Sequence, residues 1–218
     1  MRSMDRRRRA VKGKRRYDAT SRREQARRNQ SRIIQAAERR FLGDGYALTT
    51  IAAVADDAGV SVDTIYKSFG GKPGLVRAVR DNALHGARSV PAEQRSDELQ
   101  SGELDPRKII VGWGRFTTEI APRASPILLL LRDAARTDPD LHVLLEEMDS
   151  DRLRRMTDNA RRLHAAGHLR SGITVAVAAD VMWTYSSPEL YELLVLRRGM
   201  PLKRYGQFVT HAMITALL

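Results

Sequence analysis

Apolar residues recur at intervals of three and four through most of the chain, and no stretch alternates with period two, so the pattern predicts an all-α fold. Ile33, Ala37 and Phe41, with Ile34 beside them, stripe a first helix. Ser21 and Glu24 stand at capping-box spacing and start it, and Gly43 or Gly45 ends it. Ile51, Val54, Ala55 and Ala58 define a short second helix, capped by Thr49 or Thr50 and stopped by Gly59. Ser61 caps a third that reaches Phe69, with only Ile65 and Phe69 at buried positions. Gly70 and Gly71 break it, and a fourth runs from about Pro73 through Leu75, Val76 and Val79.

Residues 88–105 are polar, include Pro91 and Gly102, and read as a linker. Beyond them Ile109, Trp113, Phe116 and Ile120 form one helix that Pro122 closes, and Ser125-Pro126 opens another. Leu141, Leu145, Met148, Leu153 and Met156 stripe a long helix ending near Gly167. Two more are expected over about 174–198 and 201–217, the first kinked at Pro188 behind the cap Ser187. The apolar run Ile127 to Leu131 is far too short to cross a bilayer. The N-terminus has no apolar segment behind its basic residues, so it does not read as a secretory signal. Without cysteine there are no disulfides or thiolate metal sites. The expectation is a soluble cytoplasmic protein with no membrane partner.

Charge sharpens this picture. Residues 1–32 hold 14 Lys and Arg against Asp5, Asp18 and Glu24, a balance of +11 out of the chain's net +12. Residues 1–20, rich in like charge and poor in large apolar residues, read as a disordered basic arm. Residues 21–72 read as a DNA-binding unit and 73–218 as a helical body. Clustered Lys and Arg suit a polyanion, nucleic acid first, through counterion release. A solvated tail, or a weak contact with anionic lipid, has the same composition.

The stretch "AGVSVDTIYKSF", residues 58–69, joins two short helices by a tight glycine turn, which is the helix-turn-helix pattern. Gly59 permits the turn, Val60 fills the angle between the helices, and Ser61 caps a helix whose free N–H groups suit phosphate. Thr64, Tyr66, Lys67 and Ser68 lie on faces that Ile65 and Phe69 leave free. A plain helical corner with a solvated outer face is the alternative.

Residues 41–79 resemble the DNA-binding domain of the TetR family of bacterial transcriptional regulators. The resemblance is carried by Thr49-Thr50, Val54-Ala55, Ala58-Gly59-Val60-Ser61, Thr64-Ile65-Tyr66, Phe69, Lys72, Leu75 and Ala78-Val79. It extends over about residues 22–80, and the stretch from Val181 to Met213 is similar to the end of many members. The resemblance implies that Thr50, with Thr49 beside it, binds phosphate at the brace helix. It implies that Ser61, Val62 and Asp63 open the recognition helix toward base edges, and that Thr64 and Tyr66 meet phosphates. By the same resemblance Lys67 and Ser68 would face the groove, and Lys72 would hold a phosphate at the start of the fourth helix. Asp63 departs from the family's non-acidic residues: it accepts a hydrogen bond from cytosine N4, or it merely supports the helix N-terminus. The glycines around Lys72 are a second departure.

The resemblance also implies a homodimer through the last two helices, binding a palindromic double-stranded DNA operator. Leu202, Tyr205, Val209, Ala212, Met213 and Ala216 stripe the final helix as such an interface requires, although packing within one chain makes the same stripe. The middle helices are expected to enclose a mostly apolar pocket for a small-molecule effector. Trp113, Phe116, Thr117, Ile120, Met148, Met156 and Trp183 are candidates for its wall, with Arg132 or His142 as polar anchors; the same residues serve equally well as core. His164 and His168 flank Gly167 and read as a helix end, not a metal site. No catalytic motif, metal site or cofactor signature is present. The leading reading is a ligand-released repressor. A constitutive or partner-controlled DNA-binding dimer without a working pocket is one alternative, and an enzyme-like small-molecule binder with an incidental basic head is another.

Overall fold

The computed structural model describes the backbone of residues 4–86 and 90–218, with side chains from Arg22 onward. Most of the described residues are helical, and none of them forms a strand. The order is α1 (Met4–Leu48), α2 (Ile51–Ala58), α3 (Val62–Phe69), α4 (Lys72–His85), α5 (Ala92–Gly102), α6 (Pro106–Ala134), α7 (Pro139–Ala165), α8 (Val175–Tyr185), α9 (Pro188–Tyr191) and α10 (Leu202–Leu217). A π-helical segment, Glu192–Arg197, prolongs α9.

Several boundaries depart from the sequence expectation. The first helix begins at Met4 and not at Ser21, and it continues through the stretch read as a disordered arm. Arg, Lys and Ala are strong helix formers, no proline interrupts them, and Gly13 alone costs about 1 kcal/mol. Gly45 (φ 81°, ψ 165°) kinks the helix just before its end. The stretch read as a linker holds α5, with Ala92 and Ser96 buried four residues apart. A face made of small residues escapes a search for large apolar ones.

Pro122 and Pro126 both lie inside one helix, α6, where the sequence predicts a break. Each removes one backbone hydrogen bond, and burial of Ala124, Ile127, Leu129 and Leu131 beside them holds the helix on course. The converse occurs at Ser186-Ser187, where a kink was expected and α8 stops. Ser187 caps a new start by accepting from the Leu190 N–H at 3.2 Å. Leu153, expected in the stripe of α7, is 42% exposed, because Leu144, Met148, Ala160 and Leu163 carry the buried face.

Two cores organise the chain. One joins α1–α4 to the second half of α6 and the first half of α7 around Phe41, Ile65, Leu75, Ile127, Leu131 and Leu141. The other joins the first half of α6 and the second half of α7 to α8–α10 around Ile110, Leu163, Met182, Tyr205 and Val209. Position 72 is therefore no seam: α4 is shared by the N-terminal unit and the body. Tyr205, Val209 and Met213, read as a stripe facing a second copy, belong to the second core and are at most 4% exposed. Helices α6 and α10 cross closely enough that a Cβ on Gly114 would strike Thr210, and one on Gly206 would strike Thr118.

Candidate nucleic-acid interface and effector cavity

The N-terminal unit is assembled so that one face of α3 stays free. Thr50 is the N-cap of α2, accepting from the Ala53 N–H at 3.1 Å. Gly59 ends α2 in the left-handed region (φ 61°, ψ 45°), as the tight turn demands. Ser61 caps α3 by accepting from the Thr64 N–H at 3.2 Å, and its hydroxyl lies 2.8 Å from that of Thr64. Beneath α3, Ile65 is fully buried, while Phe69 is half-buried against the same core. On the other side Val62, Asp63, Tyr66, Lys67 and Ser68 are exposed and Thr64 half-exposed. Thr50 and Ser61 are exposed as well.

Two predicted contacts sit differently from the rest. Thr49 is only 2% exposed and donates its hydroxyl to the Gly45 carbonyl at 2.8 Å, so it closes the kink of α1 and does not face outward. Lys72 is half-buried at the start of α4: its Nζ lies 4.1 Å from the Tyr46 ring centroid and 3.4 Å from the Ala47 carbonyl. Burial lowers its pKa. Burial also pushes the Tyr46 hydroxyl up to about 12. Asp63 and Lys67 form an ion pair at 2.6 Å along the exposed face of α3, and this hydrogen bond raises the lysine's pKa. The free recognition face is thus electrically self-balanced, and uncompensated positive charge lies in α1.

The brace was not legible in the sequence. Arg32, counted there only in the positive charge of residues 1–32, donates Nη2 to the Ala58 carbonyl and, at 3.1 Å, to that of Gly59. A guanidinium so placed satisfies carbonyls at the C-terminal, negative end of α2. Arg40 grips Asp57 with two parallel bonds, Nε to Oδ2 at 2.7 Å and Nη2 to Oδ1 at 2.9 Å. That bond holds the Asp57 carboxyl below its ordinary range. Only the spacing of α1 against α2 brings Arg40 to it.

In the body, a cavity of about 690 Å³ lies where the two cores meet, walled by α4–α8 and α10 with Ser186, Pro188 and Glu189 beyond them. Trp113, Phe116, Thr117, Ile120, Arg132, Met148 and Met156 line it as expected. His142 does not: it is exposed in the first turn of α7, with Nε2 3.3 Å from Glu146. Trp183 does not either. Its neighbour Met182 points into the cavity, and a step of one residue turns a helical side chain by about 100°. Trp183 instead receives the Arg152 guanidinium 4.3 Å from its ring centroid, and its carbonyl accepts from Arg152 Nη1 at 2.6 Å. The wall is also less apolar than expected. Arg80, Arg152, Arg155 and several carboxylates line it, side chains that the apolar stripe of α7 gave no reason to place there. Asn159 and Ser96, both also in the wall, were missed outright.

Among the described residues, no group of acids and histidines could hold a metal ion. His164 and His168 flank the end of α7, where the His168 N–H caps the Leu163 carbonyl at 3.0 Å. No helix of the described residues is long and apolar enough to cross a membrane.

A helix-turn-helix with one face of its second helix free is mounted on an all-helical body. Comparison with known proteins agrees. Residues 33–79 match the family model of bacterial regulatory proteins of the tetR family. The transcriptional regulator TtgR of Pseudomonas putida is 40% identical over 80 residues, and the probable regulator ArpR of the same species 41% over 83. These alignments span 35% and 38% of this chain and 38% of each relative. Structures of similar fold cover far more. The SmeT–triclosan complex superposes with a TM-score of 0.68 at 22% identity, covering 87% of this chain and 91% of that one. NalD, the secondary repressor of the MexAB-OprM multidrug efflux pump in Pseudomonas aeruginosa, gives 0.70 at 17% identity, covering 88% of this chain and 98% of that one. The match to the tetR family thus lies in residues 33–79, and beyond them the similar structures show the fold alone.

Proposed function

We propose that the chain is a homodimeric transcriptional repressor that leaves its operator when a small molecule enters the cavity of the body. The observation that carries the DNA half of this reading is the pairing of a fully buried Ile65 with exposed Val62, Tyr66 and Lys67 on the same two turns. A helix held from beneath and free above fits the major groove. Thr50, Ser61, Val62, Asp63, Thr64, Tyr66, Lys67 and Ser68 form the reading surface, and Lys72 supports it from the start of α4. Thr49 acts only through the kink that it closes.

The dimer is supported by apolar surface on the last helices. Leu193 and Leu196 are each 53% exposed, Val177 43% and Phe208 42%, with Phe208 edge-on to Tyr185 at 6.2 Å between ring centroids. A second copy covering this face would set two recognition helices about 34–36 Å apart, one turn of DNA. Ligand control is supported by the cavity, since Arg80 and Leu84 of α4 line it and α4 leads directly from α3. A repressor named for an efflux pump and a complex with triclosan among the similar structures are in keeping with this reading.

The test is a gel shift on DNA upstream of the chain's own coding sequence, repeated with a library of hydrophobic small molecules. A sequence-selective shift that a ligand abolishes supports the proposal. A shift indifferent to every ligand removes the effector half, and absence of any selective shift removes the whole.

A further inference from the structure

The cavity wall is charged and yet balanced. Arg80 pairs with Asp81 at 2.9 Å, Arg132 with Glu192 at 3.0 Å, Arg152 with Asp149 at 3.4 Å, and Arg155 with Asp97 at 3.0 Å. Arg154, at the exposed rim, pairs with Asp151 at 2.7 Å. Every arginine of the wall therefore has a carboxylate partner, and the wall holds as many carboxylates as arginines. An anion entering it would meet only arginines that already hold carboxylates, and would surrender its hydration.

One uncharged group stands apart. Asn159, on α7, is 4% exposed and lines the cavity, and its Oδ1 is sealed from solvent with no hydrogen-bond partner. A buried amide left unpaired destabilises the fold. Its terminal torsion is soft, so rotation presents either the oxygen or the nitrogen to a guest. Ser96 contributes similarly: its oxygen accepts from Trp113 Nε1 at 3.0 Å, which leaves the hydroxyl proton to donate. Around these polar points the wall is apolar, with Phe116, Ile120, Leu128 and Met148.

We infer that the cavity selects uncharged, ring-bearing amphiphiles over anionic ones, and that Asn159 is the anchor for their hydrogen-bonding group. The inference rests on reading the cavity as the effector site. It predicts that an apolar body with one N–H, hydroxyl or carbonyl binds well, and that the same body with an anionic group is rejected.

The test uses a matched pair of fluorescent probes on the full chain. N-phenyl-1-naphthylamine is neutral with one N–H, and 1-anilinonaphthalene-8-sulfonate is the same skeleton with an anion attached. The neutral probe should bind at least about tenfold more tightly. The variant Asn159→Leu should weaken it about two- to tenfold, the range of one neutral hydrogen bond. Displacement by 1-phenylnaphthalene, which lacks the N–H, should not change. Because Asn159 Oδ1 has no protein partner, Asn159→Leu should melt at the same temperature as the parent or higher. A purely structural amide would instead lower the melting temperature.

Equal or tighter binding of the sulfonate overturns the inference, as does an unchanged amine affinity in Asn159→Leu, a clear loss of melting temperature, or no binding of either probe. If the expected pattern appears but the operator complex ignores the neutral probe, the ligand class stands and ligand-controlled repression falls. Asn159→Ser, smaller and still polar, gives a second variant should the leucine disturb packing, and it should retain more amine affinity than leucine.

Discussion

Ile65 and Tyr66 are adjacent in sequence and opposite in role, so substituting each with alanine tests the placement of the recognition helix. Ile65→Ala removes three carbon groups from a fully buried site. At ~0.8 kcal/mol each, the lost transfer energy is about 2.4 kcal/mol. The void left beneath α3 adds to this, bringing the expected loss to about 2–5 kcal/mol. That is a large part of a domain stability of about 5–15 kcal/mol. Tyr66, 53% exposed, should cost under about 1 kcal/mol when replaced by alanine, yet its loss should weaken operator binding. Urea denaturation followed by circular dichroism gives the first quantity. Fluorescence anisotropy on operator DNA, at a temperature where both variants stay folded, gives the second. The reasoning fails if Ile65→Ala costs less than about 1 kcal/mol. It fails equally if Tyr66→Ala is the more destabilising change while binding DNA normally, because α3 would then present its other side.

Replacing Lys72 by alanine should reduce the slope of log affinity against log salt by about one unit if its ammonium meets a phosphate. An unchanged slope would mean that it serves only the Tyr46 ring and the Ala47 carbonyl. Deleting residues 1–20 should weaken DNA binding and flatten the same plot, since most of the chain's excess positive charge lies in residues 1–32. Asp57→Asn should alter the acid limb of stability. The native carboxyl titrates below its unfolded value of about 3.9, so its contribution is present above that pH and fades as pH falls through the native value. The variant should lose stability at neutral pH and show a shallower decline below about pH 4 in acid titration of helicity. Gly114→Ala or Gly206→Ala should destabilise by about 1–3 kcal/mol in urea, because the new methyl meets Thr210 or Thr118 across the α6–α10 crossing.

The sequence by itself determined the parts that depend on near neighbours. Helical period, the caps Thr50 and Ser61, the turn at Gly59 and the anchoring of α3 by Ile65 all depend on residues within about two turns, and all appear as read. Seven of the nine residues named for the pocket line it, because a cavity between helices is walled by the same apolar faces that periodicity reveals. Tertiary structure decided the rest. Whether Pro122 and Pro126 break α6 depends on how firmly the packed faces on either side hold it. Whether Tyr205, Val209 and Met213 face a partner or their own chain depends on where α6 and α8 lie. Arg32 and Arg40 became braces, and Asn159 a buried amide at a cavity whose oxygen has no protein partner, through contacts with residues far away in sequence or through the lack of them. Charge and hydrogen bonding act over a few ångströms of space, and that proximity is what a linear order of residues leaves unspecified.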